Sequence, residues 1–180
     1  MTDKIKLTGD ERRAQLLDWL KSSSPLTGNE LAQRASVSRQ VIVQDMTLLK
    51  ARNEPILATS QGYVYMESDS RQGPALLERV IAVQHTPEQS EEELLLIVDH
   101  GVGVKDVIVE HPVYGQISAQ IRVHTRKEVY EFISNIRSSK ATFISELTQG
   151  VHLHTLTSPS EERLDEVCEA LREIGFLVTD

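Results

Sequence analysis

The sequence predicts a mixed α/β chain in two parts: three short helices closed by a β-hairpin, then an α+β domain on a mainly antiparallel sheet. Three observations carry this. Apolar residues first recur at helical spacing in short segments, and later alternate between strand-length and helix-length runs. The polar stretch Glu67-Ser-Asp-Ser-Arg-Gln-Gly-Pro74 separates the two patterns and reads as a linker. Charge also changes sign across it. Residues 1–66 hold nine Lys/Arg and seven Asp/Glu, a net of +2, whereas residues 67–180 hold ten and twenty, a net of −10, and the whole chain stands at −8. The domains are therefore expected at 1–66 and 75–180, with 67–74 joining them.

In the first part, Asp10 to Ser22 carries Leu16, Leu17 and Leu20 as an apolar stripe, and Ser22-Ser-Ser-Pro25 stops it. Thr27-Gly-Asn-Glu30 is a capping box, in which Thr takes one orphan amide and Glu reaches back to the other. Leu31, Ala32 and Ala35 face inward on the helix that follows. Ser36-Val37 turns the chain, and Ser38 caps a third helix with Ile42, Met46 and Leu49 on one side. After Pro55, residues 56–65 read as two strands around Ser60-Gln61-Gly62. This is the element order of a winged helix-turn-helix.

Docking the third helix by Ile42, Met46 and Leu49 leaves Arg39, Gln40, Val43, Gln44 and Thr47 outside. Arg matches guanine, Gln matches adenine, and Val packs on the thymine methyl, so the face fits a major groove. Ser36 and Ser38 are placed to bond phosphates. Lys50, Arg52 and the wing around Gln61 are placed to grip the flanking backbone. The plain alternative is a small helical domain with a solvated polar face. The overall negative charge does not exclude DNA, because phosphate neutralisation depends on local basic groups.

In the second part, strands are expected at 77–84, 104–110, 116–123, 151–156 and 176–179. Helices are expected at 87–98, 125–138 and 160–174. No apolar run approaches the roughly 18 residues that span a bilayer. The N-terminus is polar, and a single cysteine, Cys168, excludes an internal disulfide framework. A cytoplasmic protein is expected.

All six histidines lie in the second part. His152 and His154, two apart on a strand, point to the same face. His85 ends the first strand of this domain, and Glu93 lies about two turns along the next helix, able to fold back over that strand end. Three imidazoles and one carboxylate suit a divalent transition metal such as Ni, Zn or Fe. The alternative is a polar surface or structural cluster. His100 reads as a helix C-terminal residue, His124 as a surface residue and Cys168 as core. His111, in Glu110-His-Pro-Val-Tyr-Gly115, either holds a turn or, with Tyr114, lines an effector pocket.

Val80-Ile-Ala-Val-Gln-His85, Asp106-Val-Ile-Val-Glu-His-Pro-Val-Tyr-Gly115 and Gly150-Val-His-Leu-His154 together resemble the 3H domain of niacin-responsive transcriptional repressors. Val37-Ser-Arg-Gln-Val41 and the wing resemble the winged helix that those repressors carry. The resemblance implies a homodimeric repressor of genes for NAD biosynthesis and niacin uptake, acting on a palindromic operator. It implies nicotinic acid as co-repressor, and one divalent metal per chain on His85, Glu93, His152 and His154. A sensor whose effector is the metal itself is a second possibility. A third is a metal-dependent enzyme acting on a nicotinate-like compound and fused to a DNA-binding domain. Against the enzyme, no nucleophile motif or phosphate-binding glycine loop is present, so no enzymatic activity is expected.

Overall fold

A computed structural model describes residues 7–66 and 76–178, and the chain divides into two compact units, Met1–Arg71 and Gln72–Asp180. The linker expected at 67–74 lies outside the described residues.

The first unit holds α1 (Gly9–Ser23), α2 (Gly28–Ala35), α3 (Arg39–Ala51) and a hairpin of β1 (Ile56–Thr59) and β2 (Gly62–Tyr65). The Thr27–Glu30 capping box forms as expected, and Thr8 with Glu11 makes a second one at the start of α1. Ser36 ends α2 in the left-handed conformation (φ 54°), and the Ser38 hydroxyl accepts from the Val41 amide to start α3. Leu16, Leu20, Leu31, Ile42, Met46 and Leu49 form one buried cluster. Burying each such side chain stabilises by about 1.5–3 kcal/mol. The hairpin is stitched to the entry of α2, because Leu26 and Tyr63 exchange backbone hydrogen bonds of 3.0 and 2.8 Å. Gly62 (φ 125°) makes that approach possible, since a Cβ there would lie 2.5 Å from the Leu26 carbonyl oxygen.

One feature of this core has no periodicity to announce it. Asp45 of α3 is buried, and its carboxylate accepts from Arg12 Nε at 2.6 Å and from an Arg13 guanidinium nitrogen at 3.0 Å. Both arginines stand on α1, so the pair fixes α1 against α3.

The second unit carries β3 (Leu77–Gln84), α4 (Ser90–Asp99), β4 (Gly103–His111), β5 (Gly115–Val123), α5 (Arg126–Ser139), β6 (Val151–Ser158) and α6 (Glu161–Glu173). The sheet has the order β3-β6-β4-β5, with every pairing antiparallel. Ile81, Val83, Val104, Val107, Ile121, Val123 and Leu156 from the strands pack with Leu94, Ile97, Val129, Ile133, Leu164, Val167 and Leu171 from the helices.

Three expectations change. The helix expected from Pro87 begins as a 3-10 turn, Pro87–Gln89, and becomes α-helical only at Ser90. A 3-10 turn, Ile144–Thr148, occupies a segment for which no element was expected. The last strand, expected at 176–179, is a single bridge between Val83 and Leu177, with the Gln84 amide donating to the Phe176 carbonyl; Thr179 lies outside the described residues. After the Gly175 bend, the Phe176 carbonyl and the Val178 amide bond the β3 edge, and among the described residues no ladder forms.

Candidate metal centre and nucleic-acid interface

The sheet register puts three histidines beside one another. His152 pairs with Val83 and His154 with Ile81, so both stand over β3, and His154 also pairs with Val107 of β4. His85 follows β3 directly. Glu93, on α4, is buried beneath them, and its Oε2 lies 2.7 Å from His85 Nε2, 3.3 Å from His154 Nε2 and 3.6 Å from His152 Nε2. The four residues proposed from strand parity and helix spacing thus converge. His85, Glu93 and His152 offer one ligand atom each, all within 4.8 Å of one another.

The main chain sets the tautomers. His85 Nδ1–H donates to the Thr86 carbonyl at 2.7 Å, His152 Nδ1–H to the Gly150 carbonyl at 2.9 Å, and His154 Nδ1–H to the Asp106 carbonyl at 2.7 Å. A carbonyl only accepts, so each Nδ1 carries a proton, and in the neutral ring each Nε2 keeps its lone pair. Three lone pairs and a carboxylate then face one another, with His152 Nε2 3.2 Å from His154 Nε2. Such a cluster calls for a cation. Ligands about 2.0–2.1 Å from a zinc ion stand roughly 3–3.4 Å apart, so the donor set fits a divalent ion after small shifts. The second carboxylate oxygen, Glu93 Oε1, is buried without a hydrogen-bond partner, a further free donor for such an ion.

Without an ion, protons fill the same role. Burial opposes charge on His85 and His154, but the Glu93 carboxylate outweighs it and holds both pKa values above the ordinary imidazole range. Burial likewise works to raise the pKa of Glu93, yet the histidines, His154 foremost, hold it well below the usual carboxylate value.

A cavity of about 170 Å³ opens beside Glu93, His152 and His154. Leu94, Ile121, Phe132 and Phe143 line it with apolar surface, while Ser90, Thr142 and Ser145 add hydroxyls. Among the described residues, no Lys or Arg lines it. Phe143 to Ser145 were not expected to contribute, because nothing in their pattern signals a turn that folds over a sheet.

His111 and Tyr114 are not among the residues that line this cavity. They sit in the β4–β5 turn, where His111 Nδ1 accepts from the Val113 and Tyr114 amides at 3.2 Å and the two rings pack 4.9 Å apart. The turn needs its amides satisfied, and His111 supplies the acceptor. His100 caps α4, bonding the Leu96 carbonyl at 2.8 Å, and His124 is exposed. Cys168 is half-buried against the core.

In the first unit, Arg39, Gln40, Val43, Gln44 and Thr47 form the exposed face of α3. The Thr47 hydroxyl donates to the Val43 carbonyl at 2.8 Å. Arg39 lies across the start of α2, close to Gly28. Ser36 and Ser38 are exposed at the turn, and Gln61 lies at the wing tip. Lys50 stands 5.8 Å from the Tyr63 ring centre. Arg52 forms an exposed ion pair with Asp10 at 3.4 Å, so it meets phosphate only in competition with that carboxylate.

Comparison with known proteins places two family models on the chain, an HTH domain over residues 12–64 and a 3H domain over residues 78–180. Transcription repressor NadR of Bacillus subtilis is 61% identical over the full length of both chains. Probable transcription repressor NiaR of Thermotoga maritima is 41% identical over 98% of both.

Proposed function

The chain belongs to the family of transcription repressors that join an HTH domain to a 3H domain, and from that premise we propose a repressor controlled by nicotinic acid at a divalent metal centre. DNA binding and repression, rather than catalysis, are its activity. The regulated genes are those of NAD biosynthesis and niacin uptake. The protein works in the cytoplasm as a homodimer on a palindromic operator, with residues 67–74 as the linker between its domains.

The convergence of three Nε2 atoms and one carboxylate beside a small aromatic-lined cavity carries this reading. His85, Glu93, His152 and His154 hold the ion, and the ion supplies a Lewis-acid point for an anionic or pyridine donor. An apolar cavity of ~150 Å³ suffices for benzene. About 170 Å³ therefore accommodates one substituted aromatic ring, not a dinucleotide. With no Lys or Arg in the lining among the described residues, the metal centre is the positive charge that meets a ligand carboxylate. Phe132 and Phe143 enclose the ring and exclude water, while Ser90, Thr142 and Ser145 offer hydroxyl donors. Ligand in this cavity touches α4, α5 and the 144–148 turn together, so binding biases how these elements pack.

On the DNA side, Arg39, Gln40, Val43, Gln44 and Thr47 read bases. Ser36, Ser38 and Gln61 hold the backbone.

Calorimetric titration of metal-loaded protein with nicotinic acid, nicotinamide and NAD tests the reading, alongside operator binding. Nicotinic acid is expected to bind and raise operator affinity, and chelation to abolish both. Metal-free protein that responds fully to nicotinic acid would overturn it.

A further inference from the structure

β4 is irregular where it passes His154. Val104 pairs with Leu156 and Asp106 with the very next residue, Thr155, so Lys105 is an extra residue against β6. On the other side, Val104 pairs with Val123 and Asp106 with Gln120, leaving Ile121 and Arg122 opposite Lys105; Arg122 is left-handed (φ 49°). This bulge shifts side-chain parity by one, so Val104 and Val107, three apart, both enter the core, and Asp106 turns to the opposite face.

A bulge leaves ladder groups unpaired. Asp106 supplies what the ladder loses. Its side chain is buried, with Oδ1 accepting from the Thr155 amide at 3.2 Å and Oδ2 from Gln120 Nε2 at 3.4 Å. One carboxylate thus ties β4 to β6 and β5 at the bulge. Meanwhile the carbonyl of the same residue accepts from His154 Nδ1–H at 2.7 Å. Thr155, whose amide the carboxylate holds, is the neighbour of His154. Both ends of the His154–Asp106 contact are therefore positioned by the Asp106 side chain.

We infer that Asp106 is a positioning residue for His154: through the bulge it holds its own carbonyl on Nδ1–H and so aims Nε2 at Glu93. Its functional meaning rests on the metal reading above, although its spectroscopic test does not.

In metal-free, full-length protein at alkaline pH, ¹⁵N–¹H spectra of the His154 ring are expected to show the Nδ1–H tautomer alone. Asp106→Ala is expected to mix the two tautomers and to lower Zn²⁺ affinity about 10–100-fold, the usual cost of losing an outer-sphere partner. Asp106→Asn keeps an acceptor for the Thr155 amide, and turns its own amide to the Gln120 side-chain oxygen, so it recovers most of both. A purely structural residue would change the unfolding temperature and leave the ring tautomer alone. Wild-type tautomer and wild-type Zn²⁺ affinity in folded Asp106→Ala overturn the inference. If that variant does not fold, Gln120→Leu removes only the Oδ2 partner, with tautomer mixing and a few-fold loss of affinity expected. Wild-type behaviour in Gln120→Leu then overturns it. A native protein that takes up no Zn²⁺ refutes the metal reading, and the tautomer spectra still decide the role of Asp106.

Discussion

The two units each bury a carboxylate and neutralise it differently. Asp45 in the first unit faces two guanidinium groups, which keep their protons at any accessible pH. Glu93 in the second faces three imidazoles, a group that can carry either a proton or a metal ion. A fixed cation makes a clamp, whereas an exchangeable one makes a site. The Arg–Asp cluster holds α3 against α1. The His–Glu cluster is held in geometry by the main chain, while its balancing charge can be swapped between protons and a metal ion.

The largest test of this contrast is metal loading. Zn²⁺ or Ni²⁺ at a thousand times its dissociation constant is expected to stabilise the second unit by about 4 kcal/mol. Glu93→Gln should abolish the gain, and the first unit's unfolding transition should not move. Calorimetric scans with and without chelator check this. A gain of equal size in Glu93→Gln would break the comparison.

Next in size is the clamp. Asp45→Ala leaves two arginines facing a hole and is expected to cost about 3 kcal/mol, the low end for breaking a buried pair, because Arg12 and Arg13 keep some exposure. Denaturant unfolding measures it. Metal affinity should be unchanged.

The pH dependence sharpens the comparison further. In metal-free protein, His85 and His154 have raised pKa values, so their contribution is complete below about 6.5 and is lost as pH rises through the folded values. Glu93 has a lowered pKa, so its contribution is present above about 4.3 and is lost as pH falls through its folded value. The metal-free second unit should thus be most stable between about pH 4.3 and 6.5. Metal must displace those protons, so the stabilisation by metal should grow as pH rises from 6 to 8. Chemical unfolding across pH, with and without Zn²⁺, should give opposite slopes, and parallel slopes would show that protons and metal do not share the site.

The smallest effects concern DNA reading. Arg39→Ala and Gln44→Ala should each weaken operator binding by about 1–3 kcal/mol and leave binding to random DNA nearly intact. Equal losses on both DNAs, measured by fluorescence anisotropy, would show that α3 does not read bases.

Much of this was legible in the sequence, for local reasons. Capping residues and apolar spacing mark helix ends, so the Thr27 and Ser38 starts were readable. Strand parity put His152 and His154 on one face, and one short connection brought Glu93 back to His85. The features that escaped are those settled by distant contacts. Asp45 looks like one more polar residue on a helix until Arg12 and Arg13, more than thirty positions away, fold onto it. The bulge at Lys105 breaks the alternation that strand reading relies on. His111 sits in a motif with two possible uses, and its hold on the Val113 and Tyr114 amides is set by the turn's geometry rather than by any spacing in the sequence.

Gly150 carries a last consequence. Its carbonyl aims His152, and a Cβ on it would lie 2.2 Å from the His85 carbonyl oxygen. The other two aiming groups, at Thr86 and Asp106, are also peptide carbonyls. Peptide carbonyls are common to all residues, so sequence drift at Thr86 can replace its side chain and keep the aiming oxygen. What the centre does not survive is a change in chain length. One residue inserted between Ser145 and Gly150, or deleted from the step between His85 and Pro87, slides a carbonyl off its ring while every ligand stays in the sequence. In this family, a paralogue with all three histidines and the glutamate but a longer 144–150 turn would have lost the aim of the centre without losing its motif.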